Sequence, residues 1–468
     1  MVLKNGRIAG FVSLWSFRFH YSTWLKKVGM AVSIIFFTVS CIGFCSDVFS
    51  VGHSCGTFSF RTLGMMFLLG AIGTVYSIYK DLKSVFCAFS SDKTLQRYKD
   101  RTDETKDKID GFISKIKGNS FETNAVRVDL PEIKDFLYYY PNITNVLLRG
   151  DSISVSKVKE QKTVRWHKIH ENLAYALELI NLRKAATEYK NFYNEDKIAL
   201  VEDPVLPKEG GIKLTISKSC YYATYITVES YRDAIYENGK QVELGNWIPF
   251  ILVNGEHILP SFRCGSSLHL GVNTLAITQD GFVLVWMQAK GNRSKSLAAP
   301  SGSGSMDWDD VGAVMERNMG DHSGNFEAVV RHAAEREFVE ETFSKSSTDH
   351  VQDILMETRT IGFFRWGSLG GLPGFVCVTK VNATQEQVFY KNKLSEGERR
   401  NYLLDLNLKY RYDHKKMLEK INKYIERRKH QMSLPLRASL EILRYVVEKG
   451  VKEGKKSESG RFCDWLNS

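Results

Sequence analysis

Two charge-free apolar stretches constrain this chain more than any other feature. Val28–Ser46 runs 19 residues and Thr62–Tyr79 runs 18 without Asp, Glu, Lys or Arg. Only Asp47 and Arg61 carry charge between them. A helix needs about 20 apolar residues to cross the hydrocarbon of a bilayer. Two such runs separated by a short loop are uncommon as core helices of a soluble domain, so the pattern predicts a transmembrane helix hairpin over residues 28–79. A cleaved signal peptide fits poorly, because the apolar run starts late and a second follows it. Lys4, Arg7, Arg18, Lys26 and Lys27 precede the first run, and Lys80 and Lys83 follow the second. The positive-inside rule then predicts both termini in the cytoplasm, with residues 47–61 outside. Gly29/Ser33, Gly70/Thr74 and Gly73/Ser77 stand four apart. That spacing allows close helix approach and self-association, although glycine is also simply frequent in membrane helices. No ionisable carboxylate or amine lies inside either run, which argues against an ion relay.

The chain has 468 residues, room for two or three domains. Its net charge is +11, and residues 391–430 hold 13 Lys/Arg against 6 Asp/Glu. Such a balance suits nucleotide phosphates, an anionic leaflet or a merely solvated helix. No aromatic-basic motif points to nucleic acid, so none is expected as a partner. The eight cysteines show no CxxC or Cys/His metal spacing, which suits free thiols in a reducing compartment.

Along the chain, residues 1–27 read as a cytoplasmic N-terminus and 80–120 as a polar helical stalk. Residues 121–270 alternate short apolar runs with turn signals and read as a mixed α/β elaboration. Thr274–Thr278 and Phe282–Met287, joined by Gln279-Asp280-Gly281, read as a hairpin, because Asp-Gly is a preferred turn. Pro300–Ser305 is a Ser/Gly-rich loop whose Gly302 and Gly304 could approach phosphate closely. Residues 395–430 and 433–450 read as two helices divided by Pro435. The segment Lys452–Ser459, within a tail at 451–468, reads as disordered.

Between the loop and the C-terminal helices lies a helix expected to begin near Ser323 or Asn325. Phe326, Val329, Val330, Ala333, Ala334 and Phe338 mark its apolar face. Glu337, Glu340 and Glu341 stand at i, i+3 and i+4, so their carboxylates share a face and repel. An exposed acidic face is the common fate of such residues, but a hard divalent cation turns the repulsion to use. Arg336 is spaced to pair with Glu340. Asp307, Asp309, Asp310 and Glu316, between the Ser/Gly run and this helix, read as an exposed acidic loop, with further metal ligands as the alternative.

The order of strand, Gly-rich loop, helix bearing Arg336-Glu337-Phe338-Val339-Glu340-Glu341, then strands resembles the Nudix domain. The resemblance implies a Nudix-like α/β/α domain over residues 271–450. It implies Glu337, Glu340 and Glu341 as ligands of Mg2+, with Gly302, Gly304 and Arg336 on the phosphates of a nucleotide. Three departures stand out: Phe343 replaces the box's closing glycine, Glu327 sits one residue from the box's earlier glutamate, and 31 residues separate Gly304 from Arg336. They bear on hydrolytic geometry more than on binding, and no catalytic residue is assigned. The whole pattern, a two-helix transmembrane hairpin followed by an α+β cytoplasmic region, is similar to the transmembrane–Nudix effectors of CBASS, a bacterial anti-phage system. That family implies a sensor of a cyclic oligonucleotide made by a CD-NTase, acting as a homo-oligomer on the lipid bilayer of the inner membrane to cause abortive infection. The alternative is a membrane-anchored, Mg2+-dependent Nudix hydrolase of nucleoside diphosphate derivatives.

Overall fold

A computed structural model describes residues 93–97, 125–131, 135–150, 153–159, 178–183, 194–201, 204–208, 210–229, 233–237, 240–241, 267–287, 297–317, 325–342, 356–366, 369, 371–391, 402–403, 405–409 and 413–467. Among these residues no helix is long and apolar enough to cross a membrane, and they form a mixed α/β fold. The expected fold of a transmembrane hairpin leading an α+β region is corrected accordingly. Their longest helix, Leu434–Glu453, carries Arg437, Glu441, Arg444, Glu448, Lys449, Lys452 and Glu453, too many charges for hydrocarbon. Residues 28–79, where the spacing predicts the hairpin, lie outside the described residues, as do residues 1–27 and Phe343.

The chain divides into two compact units. The first comprises Met1–Arg101, Arg165–Tyr193 and Arg232–Trp247. In it, strand Lys93–Arg97 pairs antiparallel with Asp233–Glu237, which pairs in turn with Lys240–Gln241. A helical stalk over 80–120 is therefore wrong at Lys93–Arg97, where long-range pairing sets the backbone against a weak local pattern.

The second unit holds the candidate site on a six-stranded sheet. Its strands are β1 (Val126–Leu130), β2 (Asp135–Tyr139), β3 (Gly271–Thr278), β4 (Gly302–Ser305), β5 (Met356–Trp366) and β6 (Leu372–Val381). Their order across the sheet is β4-β3-β6-β5-β2-β1. β3 and β6 run parallel, and every other neighbouring pair runs antiparallel. Within the region 121–270, read as a mixed α/β elaboration, β1 and β2 join this sheet. Gly302–Ser305, read as a loop, is an edge strand paired with Gly271–Thr274. The Asp280-Gly281 turn forms, with Gly281 at φ 87° and its N–H bonded to the Thr278 carbonyl at 2.8 Å. The second arm then leaves the sheet, because Val285–Met287 pairs with Ala298–Ala299 and Tyr402–Leu403 instead.

Alternation along the strands sends side chains to two faces. Val376 and Val378 join Leu137 and Ile361 on one face, and Phe375 and Cys377 join Phe136 and Phe363 on the other. Five helices matter for the site and its support: α1 (Trp308–Arg317), α2 (Phe326–Thr342), α3 (His414–Arg428), α4 (Leu434–Glu453) and α5 (Glu458–Asn467). The first face is covered by α3, α4 and α5 through Met417, Ile421, Leu440, Leu443, Phe462 and Trp465. α2 covers the second with Phe326, Val329, Val330, Ala333 and Ala334. Each fully buried Val, Leu, Ile, Phe or Met among them contributes about 1.5–3 kcal/mol.

The helix ends follow from their caps. Asp413 accepts the Lys416 N–H at 3.0 Å and starts α3 at His414, and Tyr402–Leu403 is a strand, so the helix expected over 395–430 is not continuous. Ser433 caps α4 ahead of Pro435, whose fixed φ suits the first turn. Lys452–Ser459 is not a disordered tail. Gly454 at φ 83° ends α4, and α5 turns back to bury Phe462, Cys463, Trp465 and Leu466. Gly460 permits that return, since a Cβ there would lie 2.7 Å from Lys455 Cα.

Candidate functional site

Asn325 caps α2, its Oδ1 accepting the Ala328 N–H at 3.3 Å. The apolar stripe from Phe326 to Phe338 seats the helix on the sheet. This fixes its rotation and turns Glu337 and Glu341, one turn apart, toward edge strand β4. Glu340 is carried to the rim, with 59% of its side chain exposed. The three glutamates therefore do not share one environment, although they share a stretch of six residues.

Both glycines of β4 serve the close approach of helix and strand. A Cβ on Gly302 would stand 2.5 Å from the Phe338 nitrogen, and one on Gly304 would overlap the Glu337 carboxylate. Their work here is to admit α2 and its carboxylate. Ser303, between them, donates its backbone N–H to Glu341 Oε2 at 2.9 Å. A carboxylate thus satisfies an outward donor of an edge strand.

Arg336 lies between two helices. From α1, Asp310 receives Nε at 2.9 Å and Nη2 at 3.1 Å, a bidentate clamp. Nη2 also reaches the Ser305 carbonyl at 3.3 Å and lies 3.3 Å from Asp307 Oδ2. From its own helix, Nη1 donates to Glu337 at 3.0 Å and Glu340 at 3.2 Å. A guanidinium has five N–H donors in a fixed fork. These partners absorb all of them, so Arg336 orders carboxylates and has no donor left for a phosphate. Burial disfavours its charge, but Asp310, Glu337 and Asp307 outweigh that and hold it firmly protonated.

The sequence pattern places Asp307 and Asp310 in an acidic loop. They instead form the start of α1, where Asp310 Oδ2 accepts the Asp307 N–H at 2.8 Å. This is a capping-box arrangement, and the Asp-x-x-Asp spacing before an apolar run was its signal in the sequence. Asp310 is 2% exposed. Asp307 also pairs with the ammonium of Lys197, which lies 110 residues away in the chain and carries no sequence signal toward this site.

The electrostatics are those of an acidic site short of cations. Lys197 and Arg336 face Glu195, Asp307, Asp310, Glu337, Glu340 and, through Glu337, Glu341. Burial pushes the Glu337 carboxyl up to about 7; Arg336 opposes the shift, and Glu340 and Asp307 add to it. Burial pushes Glu341 to about 9, reinforced by the charge of Glu337 and opposed by the Ser303 N–H. Glu327, one residue from the box position, is also raised by burial, with Arg331 opposing.

Among the described residues no three His, Cys, Asp or Glu side chains gather as a metal cage. Two carboxylates are what Mg2+ commonly takes from a protein, the rest of its octahedron being water and phosphate oxygen. Glu337 and Glu341 fit that demand in type, because a cation would offset the burial that raises both and the neighbouring carboxylate charge that adds to it. No protein-family model matches the chain, and no curated protein matches it in sequence.

Proposed function

We propose that the six-stranded unit reads the phosphates of a nucleotide through a divalent cation held by Glu337 and Glu341. The observation that carries this reading is the pair itself. Two carboxylates one helical turn apart are half-buried against a glycine strand, and one overcommitted arginine is the cation beside them. Evolution tolerates buried like charges where a ligand compensates them. Arg336 orients Glu337, and Ser303 orients Glu341. When bound, Mg2+ would supply charge neutralisation for a diphosphate or a cyclic phosphodiester. The resemblance to CBASS effectors supports a cyclic oligonucleotide as the ligand and a sensor as the role. Such a ligand acts on self-association only through unequal affinity for the associated and free states.

A second reading, hydrolysis of a nucleoside diphosphate derivative, is favoured by one observation. Glu337 sits near neutrality, where a general base is most effective.

Calorimetry of the full chain with Mg2+ against cyclic di- and trinucleotides and linear nucleoside diphosphate compounds tests both. Mg2+-dependent binding of a cyclic oligonucleotide without product, lost in the Glu337→Gln/Glu341→Gln double variant, is the expected result. Product release from a linear diphosphate selects hydrolysis. Binding indifferent to both glutamates overturns the site.

A further inference from the structure

A buried lysine is the least explained charged group near the site. Lys197 lies on strand Asp196–Leu200, which belongs to a four-stranded sheet with Ile153–Lys159, Ile212–Cys220 and Leu268–His269. Its side chain is 5% exposed, yet it ends in a charge. Burying an ammonium is costly, and an apolar residue of similar volume is often the more stable choice. The charge is kept by two partners: Glu195 at 2.7 Å and Asp307.

The backbone leaves Lys197 little freedom. Lys197 and Asp307 oppose each other in an antiparallel bridge. Ile198 N–H donates to the Met306 carbonyl at 3.1 Å, and Met306 N–H donates to Leu270 at 2.8 Å. Asp307 is pinned again as the residue before α1 by its N–H to Asp310. Its two oxygens serve two cations: Oδ1 takes Lys197, and Oδ2 stands 3.3 Å from Arg336 Nη2. Arg336 is therefore held from one side by Asp307 and Asp310, and from the other it holds Glu337 and Glu340.

We infer that Lys197 and Asp307 are a positioning pair for the cation site, through which the four-stranded sheet sets the place of Arg336 and so of the Glu337 carboxylate. Lys197 fixes the rotamer and charge of Asp307. Asp307 shares with Asp310 the anchoring of the guanidinium against the pull of α2. Neither residue touches the ligand. This gives the region preceding β3 a role at the site that its sequence does not announce. The inference rests on the reading of Glu337 and Glu341 as the cation's ligands.

The test is Mn2+ binding to the full chain, followed by the loss of the free-ion electron paramagnetic signal. Partners one step removed from a metal typically change its affinity 10–100-fold. Lys197→Met and Asp307→Asn are each expected to weaken Mn2+ by about 10-fold or more, and the double variant by no more than the weaker-binding single. Lys197→Arg is expected to restore binding to within about threefold of the parent, because the cation at that place is what matters. Urea midpoints of all variants separate this from loss of fold, and Asp307→Asn keeps the test open if Lys197→Met fails to fold. Mn2+ affinity within about twofold of the parent in Lys197→Met, or additive losses in the double variant, overturns the pair. A parent that binds no Mn2+, or binds it equally after Glu337→Gln/Glu341→Gln, overturns the cation site itself and the pair with it.

Discussion

Stability in the absence of divalent cation should fall as pH rises through neutrality, and Glu341 should be the chief cause. Its carboxyl lies at about 9 in the fold against an ordinary 4.5. Below 4.5 both the folded and unfolded chains carry its proton. Between 4.5 and about 9 the folded chain keeps the proton and the unfolded chain has lost it. The folded state then binds more protons, so stability falls with rising pH by up to about 1.4 kcal/mol per unit. From pH 6 to pH 8 this comes to about 3 kcal/mol for one group. Glu337, raised to about 7, adds to the slope only up to that pH. The perturbation is Glu341→Gln, which keeps the acceptor for the Ser303 N–H and removes the ionisation. Urea unfolding in EDTA at pH 6, 7 and 8 is the assay. The variant should already exceed the parent by about 2 kcal/mol at pH 6, exceed it by about 5 kcal/mol at pH 8 and show a flatter profile. Mg2+ should stabilise the parent more at pH 8 than at pH 6, since it binds the ionised pair. A parent whose stability rises over this range, or a variant that declines in parallel with it, would refute the reasoning.

The two glycines of β4 should separate function from fold. Gly304→Ala displaces only the end of a flexible side chain, Glu337, and should weaken Mn2+ binding with little change in the urea midpoint; Gly302→Ala meets the Phe338 backbone and should cost about 1–3 kcal/mol. Phe338, wholly buried among Ala276, Leu284, Val381, Val388 and Phe389, should cost about 3–5 kcal/mol when cut to alanine, measured by the same unfolding. Burial pushes the Cys377 thiol up to about 12, so its peptide should resist alkylation at pH 8 in the native chain and react on unfolding, read by mass spectrometry.

The α2 helix was readable because its signal is local. Its cap at Asn325 and six apolar positions from Phe326 to Phe338 recur at helical spacing, and all six are buried. The Asp280-Gly281 turn was readable for the same reason, since it needs only a residue free to take positive φ. The edge strand Gly302–Ser305 was not. A Ser/Gly run has no alternation of apolar residues, and its state is set by pairing with Gly271–Thr274 and by the helix that lies on it. The start of α3 is not legible in the sequence because the strand at Tyr402–Leu403 is set by long-range pairing with Val285 and Trp286 and leaves no local signal.

The Arg336–Glu341 stretch shows the same division within one site. Sequence determined that three carboxylates and an arginine stand on one helix at spacings that bring them together, because helical geometry is local and periodic. It also determined which side of that helix is apolar. Tertiary structure decided what those charges mean. Seating α2 on β4 half-buries Glu337 and Glu341 and leaves Glu340 at the rim. Folding α1 over the helix brings Asp307 and Asp310 to Arg336 and consumes its donors. Pairing with the strand Asp196–Leu200 adds Lys197 from a distant part of the chain. Charge and burial depend on neighbours in space, and for an ionisable group those neighbours set both the protonation state and the ligand it can hold.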